Sequence, residues 1–355
     1  MNKYLSDLYS SYLLASSGQI TCTGLSGILD NEISHDEFTR FLNVSIGSHE
    51  LWLKVKSTVR SLSNSDSEGV LIIDDHIEEK QYMQESDLIS WHYDHSLKRN
   101  VKGINQLSVL FECRDFSIPV GFDFVHKTEV YEKKGELKRR SPENKNAKFR
   151  KLVGQAVHNR INFEFVLADS WFCSAENMRW VKQTHKKDFI FAIKKNRKVA
   201  LNLEDKKKGH YQALSELITE DKTTQTVYLK GVDFPLTLVK QVFKNKDESE
   251  GCLYLVGSKE GLDFSQITTI YKRRWKVEEH HRSIKSNLNY AKSPAYKATT
   301  QQNHCIMCLF AFYEWECIAK AIKTNQTALK QKIYLKATKV AFMNVQKLKQ
   351  KYITA

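Results

Sequence analysis

Residues 271–288 read YKRRWKVEEHHRSIKSNL and combine a phenol, cations and a carboxylate at helical spacing. At about 100° per residue, Arg274, Glu278 and Lys285 fall within roughly 60° of Tyr271 on a helix. A neighbouring stripe is apolar at seven- and four-residue steps: Ile270, Val277, Ile284 and Leu288. This pattern predicts a helix that packs on a core along one side. Its polar edge suits a phosphate backbone with a bound metal ion, although a solvated basic face has the same composition.

The spacing Tyr271-(2)-Arg274-(3)-Glu278-(6)-Lys285 resembles the signature around the catalytic glutamate of the insertion-sequence-4 family of DDE transposases. The resemblance implies an α/β fold, a ribonuclease-H-like mixed sheet flanked by helices. It also implies a β-rich insertion before the glutamate helix, and helical N- and C-terminal regions. Two further carboxylates are expected, each at the end of a buried strand.

Two apolar runs supply such carboxylates. Val70–Ile73 is followed by Asp74, Asp75 and His76, and the run from Phe163 to Ala168 ends at Asp169. Branched apolar residues in short runs predict buried strands. An aspartate at the rim of a sheet can bind metal without the cost of full burial. Asp169 could instead begin a turn or cap the following helix.

The length of the apolar run does not decide whether Asp74 or Asp75 is the metal-binding aspartate of the family. The family's metal-binding aspartate usually precedes a small hydroxyl residue, which favours Asp75. His76 stands at the hydroxyl position here and departs from that pattern. It could be a further metal ligand, but a neutral histidine at the edge of the sheet is the favoured interpretation.

The resemblance implies that Asp75, Asp169 and Glu278 are catalytic and hold two divalent metal ions, Mg²⁺ with Mn²⁺ as a substitute. The expected reaction is cleavage at transposon ends and strand transfer, by cut-and-paste with a hairpin on the transposon end. Tyr271, Arg274 and Lys285 are expected to bind DNA phosphates near the cleaved end. Trp275 is expected to stack on a base, and a place in the core is the alternative.

The partners implied are double-stranded DNA, as inverted-repeat ends and as target, and a second copy of the chain in a homodimeric synaptic complex. Two other functions remain open. A ribonuclease-H-fold nuclease or resolvase would only hydrolyse, and a silent transposase derivative would bind DNA without cleaving it.

Composition agrees with a DNA-processing enzyme. The chain has 355 residues and a formal net charge of +14, which predicts a polyanionic partner. The tail from 321 to 355 contains eight lysines and no acidic residue. Its apolar residues indicate helices rather than a disordered arm, and it is interpreted as an element that faces DNA or holds two ends together.

Other classes are not favoured. The longest apolar run, Cys305 to Trp315, is too short to cross a bilayer, so no membrane partner is expected. Seven scattered cysteines argue against a disulfide scaffold and for a reducing cytosol. The location expected is therefore cytoplasmic, associated with a prokaryotic nucleoid. The motif His304-Cys305-x-x-Cys308 could suggest zinc, but core cysteines are the favoured interpretation.

Five segments are predicted. Residues 1–68 form a helical domain that binds DNA ends, with a helix-turn-helix candidate around Asp30-Asn31. Residues 69–195 form the first part of the catalytic core, as three strands, helix, strand, helix and strand. Residues 196–262 form the β-rich insertion. Residues 263–300 complete the core with the glutamate helix, and residues 301–355 form a basic helical region.

Overall fold

The structure, a computed structural model, describes residues 2–63, 69–217, 221–244 and 248–353. It divides into two compact units, one of Met1–Lys54 with Glu279–Ala355 and one of Val55–Glu278. The predicted boundary at residues 64–68 and the last two residues of the basic tail lie outside the described residues. The division into five segments therefore stays a prediction.

The first unit is helical. Its helices, with α4 and α9 shared across the division, are α1 (Lys3–Ala15), α2 (Cys22–Ile28), α3 (His35–Phe41), α4 (Ser48–Ser63), α9 (Trp275–Asn287), α10 (Ala298–Ala321) and α11 (Gln326–Tyr352). Helix α10 is the buried element expected from the apolar run, and its His304 ring nitrogen Nδ1 lies 3.0 Å from the Tyr9 hydroxyl of α1. The thiols of Cys305 and Cys308 are free and buried in α10.

The turn between α2 and α3 lies where the sequence predicts it. Asp30 and Asn31 have φ angles of 51° and 63°, in the left-handed region that short polar side chains tolerate best after glycine. The Ser34 hydroxyl accepts the amide hydrogen of Glu37 at 3.3 Å and caps α3. The helix pair has the order of a helix-turn-helix, and its contact with DNA stays a prediction.

The second unit is built on a large mixed sheet. Its strands are β1 (Val70–Glu79), β2 (Ser90–Asp94), β3 (Arg99–Cys113), β4 (Phe116–Phe124), β7 (Phe165–Ala168), β8 (Asp188–Ile193), β9 (Lys198–Ala200), β10 (Gln212–Ala213), β11 (Thr224–Leu229), β12 (Leu236–Lys244) and β13 (Glu250–Gly257). A separate hairpin pairs β5 (Glu129–Lys133) with β6 (Glu136–Arg140). The remaining helices are α5 (Lys145–His158), α6 (Ala175–Arg179), α7 (Leu203–Lys208) and α8 (Phe264–Lys272).

The strand order confirms the predicted fold class. β1 pairs antiparallel with β3, and β3 pairs antiparallel with β4. On its other side β1 pairs parallel with β7, and β7 pairs parallel with β8. Three antiparallel strands followed by two strands parallel to the first, with helices between them, is the ribonuclease-H-like arrangement.

The hairpin β3–β4 was predicted from its two apolar runs. Arg114 and Asp115 connect them with φ angles of 52° and 61°, as a two-residue turn with positive φ at both positions requires. The hairpin β5–β6 was not predicted, because its strands are exposed and lack apolar alternation. The sequence predicts a basic loop from Tyr131 to Lys151, but the turn at Lys134-Gly135 closes its first part into this hairpin and α5 begins at Lys145.

The insertion extends the main sheet rather than standing beside it. β13 pairs antiparallel with β8, and β12 and β11 follow outward. The segment predicted to be β-rich thus contains β11, β12 and β13. Together with the helix pair α8–α9 they enclose a core that contains Ile190, Leu255 and Val277.

Within the described residues no helix has both the length and the apolar character that a bilayer crossing demands.

Candidate active site

The two aspartates of β1 point to opposite faces of the sheet. Side chains alternate along a strand, so Asp74 shares a face with Val70 and Ile72, whereas Asp75 does not. Val70 and Ile72 belong to the core cluster that includes Ile267 of α8 and Val277 of α9. Asp74 therefore faces the helix pair that carries the predicted signature. Neither aspartate ends its strand, because β1 continues to Glu79.

Asp169 lies beside Asp74 because of the register between β1 and β7. These strands pair in parallel with Val70 opposite Phe165 and Ile72 opposite Leu167. Two residues further along, Asp74 and Asp169 occupy equivalent positions. Asp169 directly follows β7, as predicted, and its Oδ1 accepts the Trp171 amide hydrogen at 2.9 Å.

The predicted single helix is interrupted next to Arg274. α8 ends at Lys272 and α9 begins at Trp275. The Arg274 amide bonds the Tyr271 carbonyl at 2.9 Å, and the Val277 amide bonds the Arg274 carbonyl at 3.1 Å. These three-residue spacings are those of a 3₁₀ turn. No proline or glycine marks the interruption in the sequence.

An ion pair ties this turn to the sheet. The Arg273 guanidinium donates through Nε to the Glu112 carboxylate and through Nη2, at 3.0 Å, to the Glu112 carbonyl of β3. The Glu112 side chain is only 4% exposed. A buried carboxylate needs such a partner to remain charged, so the pair fixes the position of the turn and thereby of Arg274.

Arg274 lies between two carboxylates. Its Nη1 is 3.3 Å from Asp74 Oδ2 and 3.4 Å from Glu278 Oε1. A carboxylate oxygen of Asp74 and one of Glu278 lie within 4.8 Å of each other. The Tyr271 ring lies 5.8 Å from the Arg274 guanidinium carbon, and its hydroxyl donates to the Ala168 carbonyl at 3.4 Å. Tyr271 thus anchors the helix pair to the residue before Asp169.

Burial and mutual repulsion shape the protonation of this cluster. Burial raises the pKa of Asp74 well above its ordinary value, the charge of Asp169 raises it further, and Arg274 opposes both. Burial also raises the pKa of Asp169, while the amide hydrogen bond from Trp171 lowers it and the charge of Asp75 raises it. The pKa of the Tyr271 phenol is raised as well, mainly by burial, so the phenol stays neutral.

Asp75 already has cationic and amide partners on its own face. Its Oδ2 accepts from Lys145 Nζ at 2.6 Å and from Asn105 Nδ2 at 3.0 Å. Lys145 is the first residue of α5. Asp75 is thus paired with an element that does not carry the signature, although its charge still acts on Asp169.

The donor set of Asp74, Asp169 and Glu278 fits a hard divalent cation. Carboxylate oxygens are the ligands that Mg²⁺ and Mn²⁺ prefer. Burial is the main cause of the raised pKa values of Asp74 and Asp169, and the charges of neighbouring carboxylates add to it. A bound cation would relieve that repulsion.

Part of the sequence is similar to a known protein family. Residues 137–313 match the family described as transposase DDE domain. The chain contains a transposase DDE domain. The matched range includes Asp169, Arg274 and Glu278 and begins after Asp74. No curated protein sequence matches the chain.

Two solved structures show remote similarity. One, from the strand transfer complex of the Drosophila P element transposase, is 13% identical with a TM-score of 0.23, covering 46% of this chain and 32% of that one. The other, Kluyveromyces polysporus Argonaute with a guide RNA, is 10% identical with a TM-score of 0.20, covering 81% and 32%. The similarity thus spans about a third of each of those chains.

Two of the remaining predicted residues, Trp275 and Lys285, have exposed side chains. Trp275 begins α9 and is 53% exposed, which excludes the core position. Lys285 lies seven residues after Glu278 in α9, in the part assigned to the helical unit, and its side chain is exposed. His76 is buried on β1.

Sequence reasoning missed several residues around the aspartates and Glu278. Lys145, Asn105 and Glu112 carry no motif, and only the sheet brings them to the aspartates. Trp171 could have been noticed, because a large aromatic residue two positions after a strand-end aspartate stands at the same rim of the sheet. The sequence also shows that Asp74 and Asp75 point to opposite faces of β1, but it does not show which face packs against the helix pair.

Proposed function

We propose that this protein is a DNA transposase that cleaves phosphodiester bonds at the ends of a mobile element and joins the freed ends to target DNA. The observation that carries the proposal is the approach of Asp74 to Glu278, with the charge of Asp169 acting on Asp74 from the neighbouring strand, in a chain with a transposase DDE domain. Three carboxylates around a phosphodiester suit metal-assisted displacement.

Asp74 is proposed as the first carboxylate, in place of Asp75. It shares a face and a register position with Asp169 and lies near Glu278, whereas Asp75 is held by Lys145 and Asn105. Asp74, Asp169 and Glu278 would hold two divalent ions, Mg²⁺ with Mn²⁺ as a substitute. Bound ions would supply Lewis-acid activation of a water or 3′-hydroxyl and stabilise the leaving oxygen.

In the protein without DNA, Arg274 pairs with the carboxylates of Asp74 and Glu278. We propose that it contacts a phosphate when DNA is bound. Its planar fork can bind a phosphate with two parallel hydrogen bonds. The stack of its guanidinium on Tyr271 restricts its orientation. Lys285 and the exposed Trp275 extend the proposed DNA-binding edge along α9. Trp275 offers an aromatic face to a base near the cleaved end.

The finer assignment follows the signature of Tyr271, Arg274, Glu278 and Lys285. We place the protein in the insertion-sequence-4 family, with cut-and-paste movement through a hairpin on the transposon end. Its partners would be the inverted-repeat ends, target DNA and a second copy in the synaptic complex. Since such DNA lies in the nucleoid, a cytoplasmic location associated with the nucleoid follows. The helices α2 and α3 and the lysine-rich α11 are the proposed end-binding elements.

The test is to incubate purified protein with Mg²⁺ and DNA that carries the inverted repeats flanking its gene, and to map breaks and joints at nucleotide resolution. Breaks at the repeat ends followed by joints to target DNA would support the proposal. Breaks without joints would instead identify a nuclease or resolvase. End binding without breaks would identify a silent derivative.

A further inference from the structure

An aromatic and cationic surface lies beside Asp169, at the rim of the sheet. Trp171 is 42% exposed, and the His95 ring lies 5.3 Å from it at an angle of 54°. Tyr93, 51% exposed, continues the chain of rings at 4.9 Å from His95. We call Tyr93, His95 and Trp171 the aromatic platform. Exposed aromatic rings in mutual contact are unusual on a surface without a binding role.

Two lysines flank the platform. Lys145 Nζ lies 5.6 Å and Lys194 Nζ 5.5 Å from the centre of the Trp171 ring. Each is within the range of cation–π attraction. The lysines come from different elements, since Lys145 begins α5 and Lys194 follows the last residue of β8.

The fold holds these groups in place. Ala168 pairs with Phe191 between β7 and β8, so Trp171 and Lys194 each lie three residues beyond a matched pair. The Trp171 amide is bonded to the Asp169 carboxylate at 2.9 Å. On the other side, Asp94 Oδ1 accepts the amide hydrogens of Ser96 and Leu97 at 2.8 and 3.0 Å. That turn fixes the segment bearing Tyr93 and His95.

We propose that the aromatic platform binds an unpaired nucleobase of a DNA strand, with Lys145 and Lys194 contacting the phosphates on either side of that nucleotide. Stacked aromatic rings with adjacent cations are the arrangement by which proteins hold single-stranded nucleic acid, because every base has a stacking face and every linkage a negative charge. The platform begins two residues from Asp169, so the bound nucleotide would lie next to the reacting phosphate. This inference rests on the proposed function only for that last point.

The proposal adds to the DNA-binding edge on α8 and α9. That edge presents Trp275 from a helix, whereas the platform lies at the ends of β2 and β7, with Lys194 following β8. Lys145 also neutralises Asp75, which gives this aspartate a positioning role for the platform. Removal of the Asp75 charge would free Lys145 from its strongest partner.

The test measures binding without metal, so that no cleavage is required. Affinities are compared for a short oligothymidylate and for an abasic oligomer of the same length and charge. We expect Trp171→Ala to weaken oligothymidylate binding by about 5- to 150-fold, the range for one stacked base. The affinity of Trp171→Ala for the abasic oligomer should equal that of the parent. Trp171→Phe should keep most of the parental preference for oligothymidylate over the abasic oligomer. Lys194→Ala should weaken binding of both oligomers equally.

Matched controls are available in the same chain. Tyr82→Ala removes another exposed tyrosine, and Lys195→Ala removes the neighbouring exposed lysine. Unchanged oligothymidylate affinity in Trp171→Ala, with a folded protein by circular dichroism, would overturn the proposal even if the protein cleaves transposon ends. The protein could instead show base-dependent binding that needs Trp171 but no cleavage activity. That outcome would support the platform and contradict only the proposed transposase function.

Discussion

Asp74 and Asp169 stand side by side because each lies two residues beyond a matched pair of parallel strands, Ile72 with Leu167. The register of β1 and β7 thus brings two negative charges close together at this end of the two strands. Repulsion between them contributes to the raised pKa of Asp74. The divalent cation proposed for this site would relieve that repulsion.

This arrangement predicts which aspartate is essential. Asp74→Asn, Asp169→Asn and Glu278→Gln should each reduce end cleavage to background and weaken Mg²⁺ binding, because each removes a negative ligand. Binding of end DNA should persist, since the carboxylates hold metal rather than read sequence. Cleavage assays and isothermal titration with Mg²⁺ measure the two effects. Asp75→Asn is the matched control for metal binding and should retain Mg²⁺ affinity; loss of Mg²⁺ affinity in Asp75→Asn with parental affinity in Asp74→Asn would assign the ligand to Asp75.

A second prediction concerns the cations along the proposed DNA edge. Arg274→Ala and Lys285→Ala should each lower the slope of end binding against salt concentration by about one counterion. Arg274→Lys should recover the slope but not the cleavage rate, because a lysine cannot form the planar fork. Fluorescence anisotropy over a salt series gives the slopes. Lys272→Ala, an exposed neighbour, should cleave ends at the parental rate, and parental slopes and rates in all these variants would show that the edge is only a solvated surface.

The pair of Glu112 and Arg273 should act on the site at a distance. Arg273→Met leaves the Glu112 carboxylate buried without its guanidinium and should lower the free energy of unfolding by about 3 kcal/mol, the low end for a broken buried pair. Cleavage should fall with it, because the turn that carries Arg274 loses its anchor. Chemical denaturation measures the first effect. The double variant Glu112→Gln with Arg273→Met should be more stable than Arg273→Met alone; strictly additive losses would show that the two residues are not coupled.

Acid should destabilise the helical unit through His280. Its side chain is fully buried against Phe312, with ring centres 4.3 Å apart, and burial lowers its pKa to about 3 from 6.5. Between these values the unfolded chain binds a proton that the folded chain does not. The free energy of unfolding should therefore fall as the pH falls, by at most about 1.4 kcal/mol per pH unit for this group.

His280→Phe should reduce that acid sensitivity, whereas replacement of the exposed His49 by Phe should not. Urea unfolding from pH 7 down to pH 4 gives the slope for each protein. Identical slopes in His280→Phe and the parent would mean that another group controls the acid response.

The strands of the core could be read from the sequence because their apolar runs match the lengths of buried strands. Val70–Ile73 and Phe165–Ala168 each contain four apolar residues before an aspartate. Aligning these two runs would have paired Asp74 with Asp169. The prediction instead relied on the residue after the aspartate, which is His76 here, and that choice pointed to Asp75.

Two other features of the structure, the break between α8 and α9 and the aromatic platform, have no signal in the local sequence. The break between α8 and α9 falls among Arg273, Arg274 and Trp275, which are all compatible with a continuous helix. At the break Arg273 pairs with Glu112, a residue far away in the sequence, and such a tertiary contact leaves no local pattern. The platform of Tyr93, His95 and Trp171 likewise depends on loops that only the sheet brings together.

The pairing of β13 with β8 has a consequence for how this protein can be shortened. Without β13, the amide and carbonyl groups of β8 that now bond to Tyr254–Gly257 would be left bare along a hydrophobic strand. Bare strand edges of this kind recruit other chains and promote aggregation. The inserted segment therefore covers the exposed strand edge of the core. A variant shortened to the ribonuclease-H-like strands should aggregate rather than fold as a smaller enzyme.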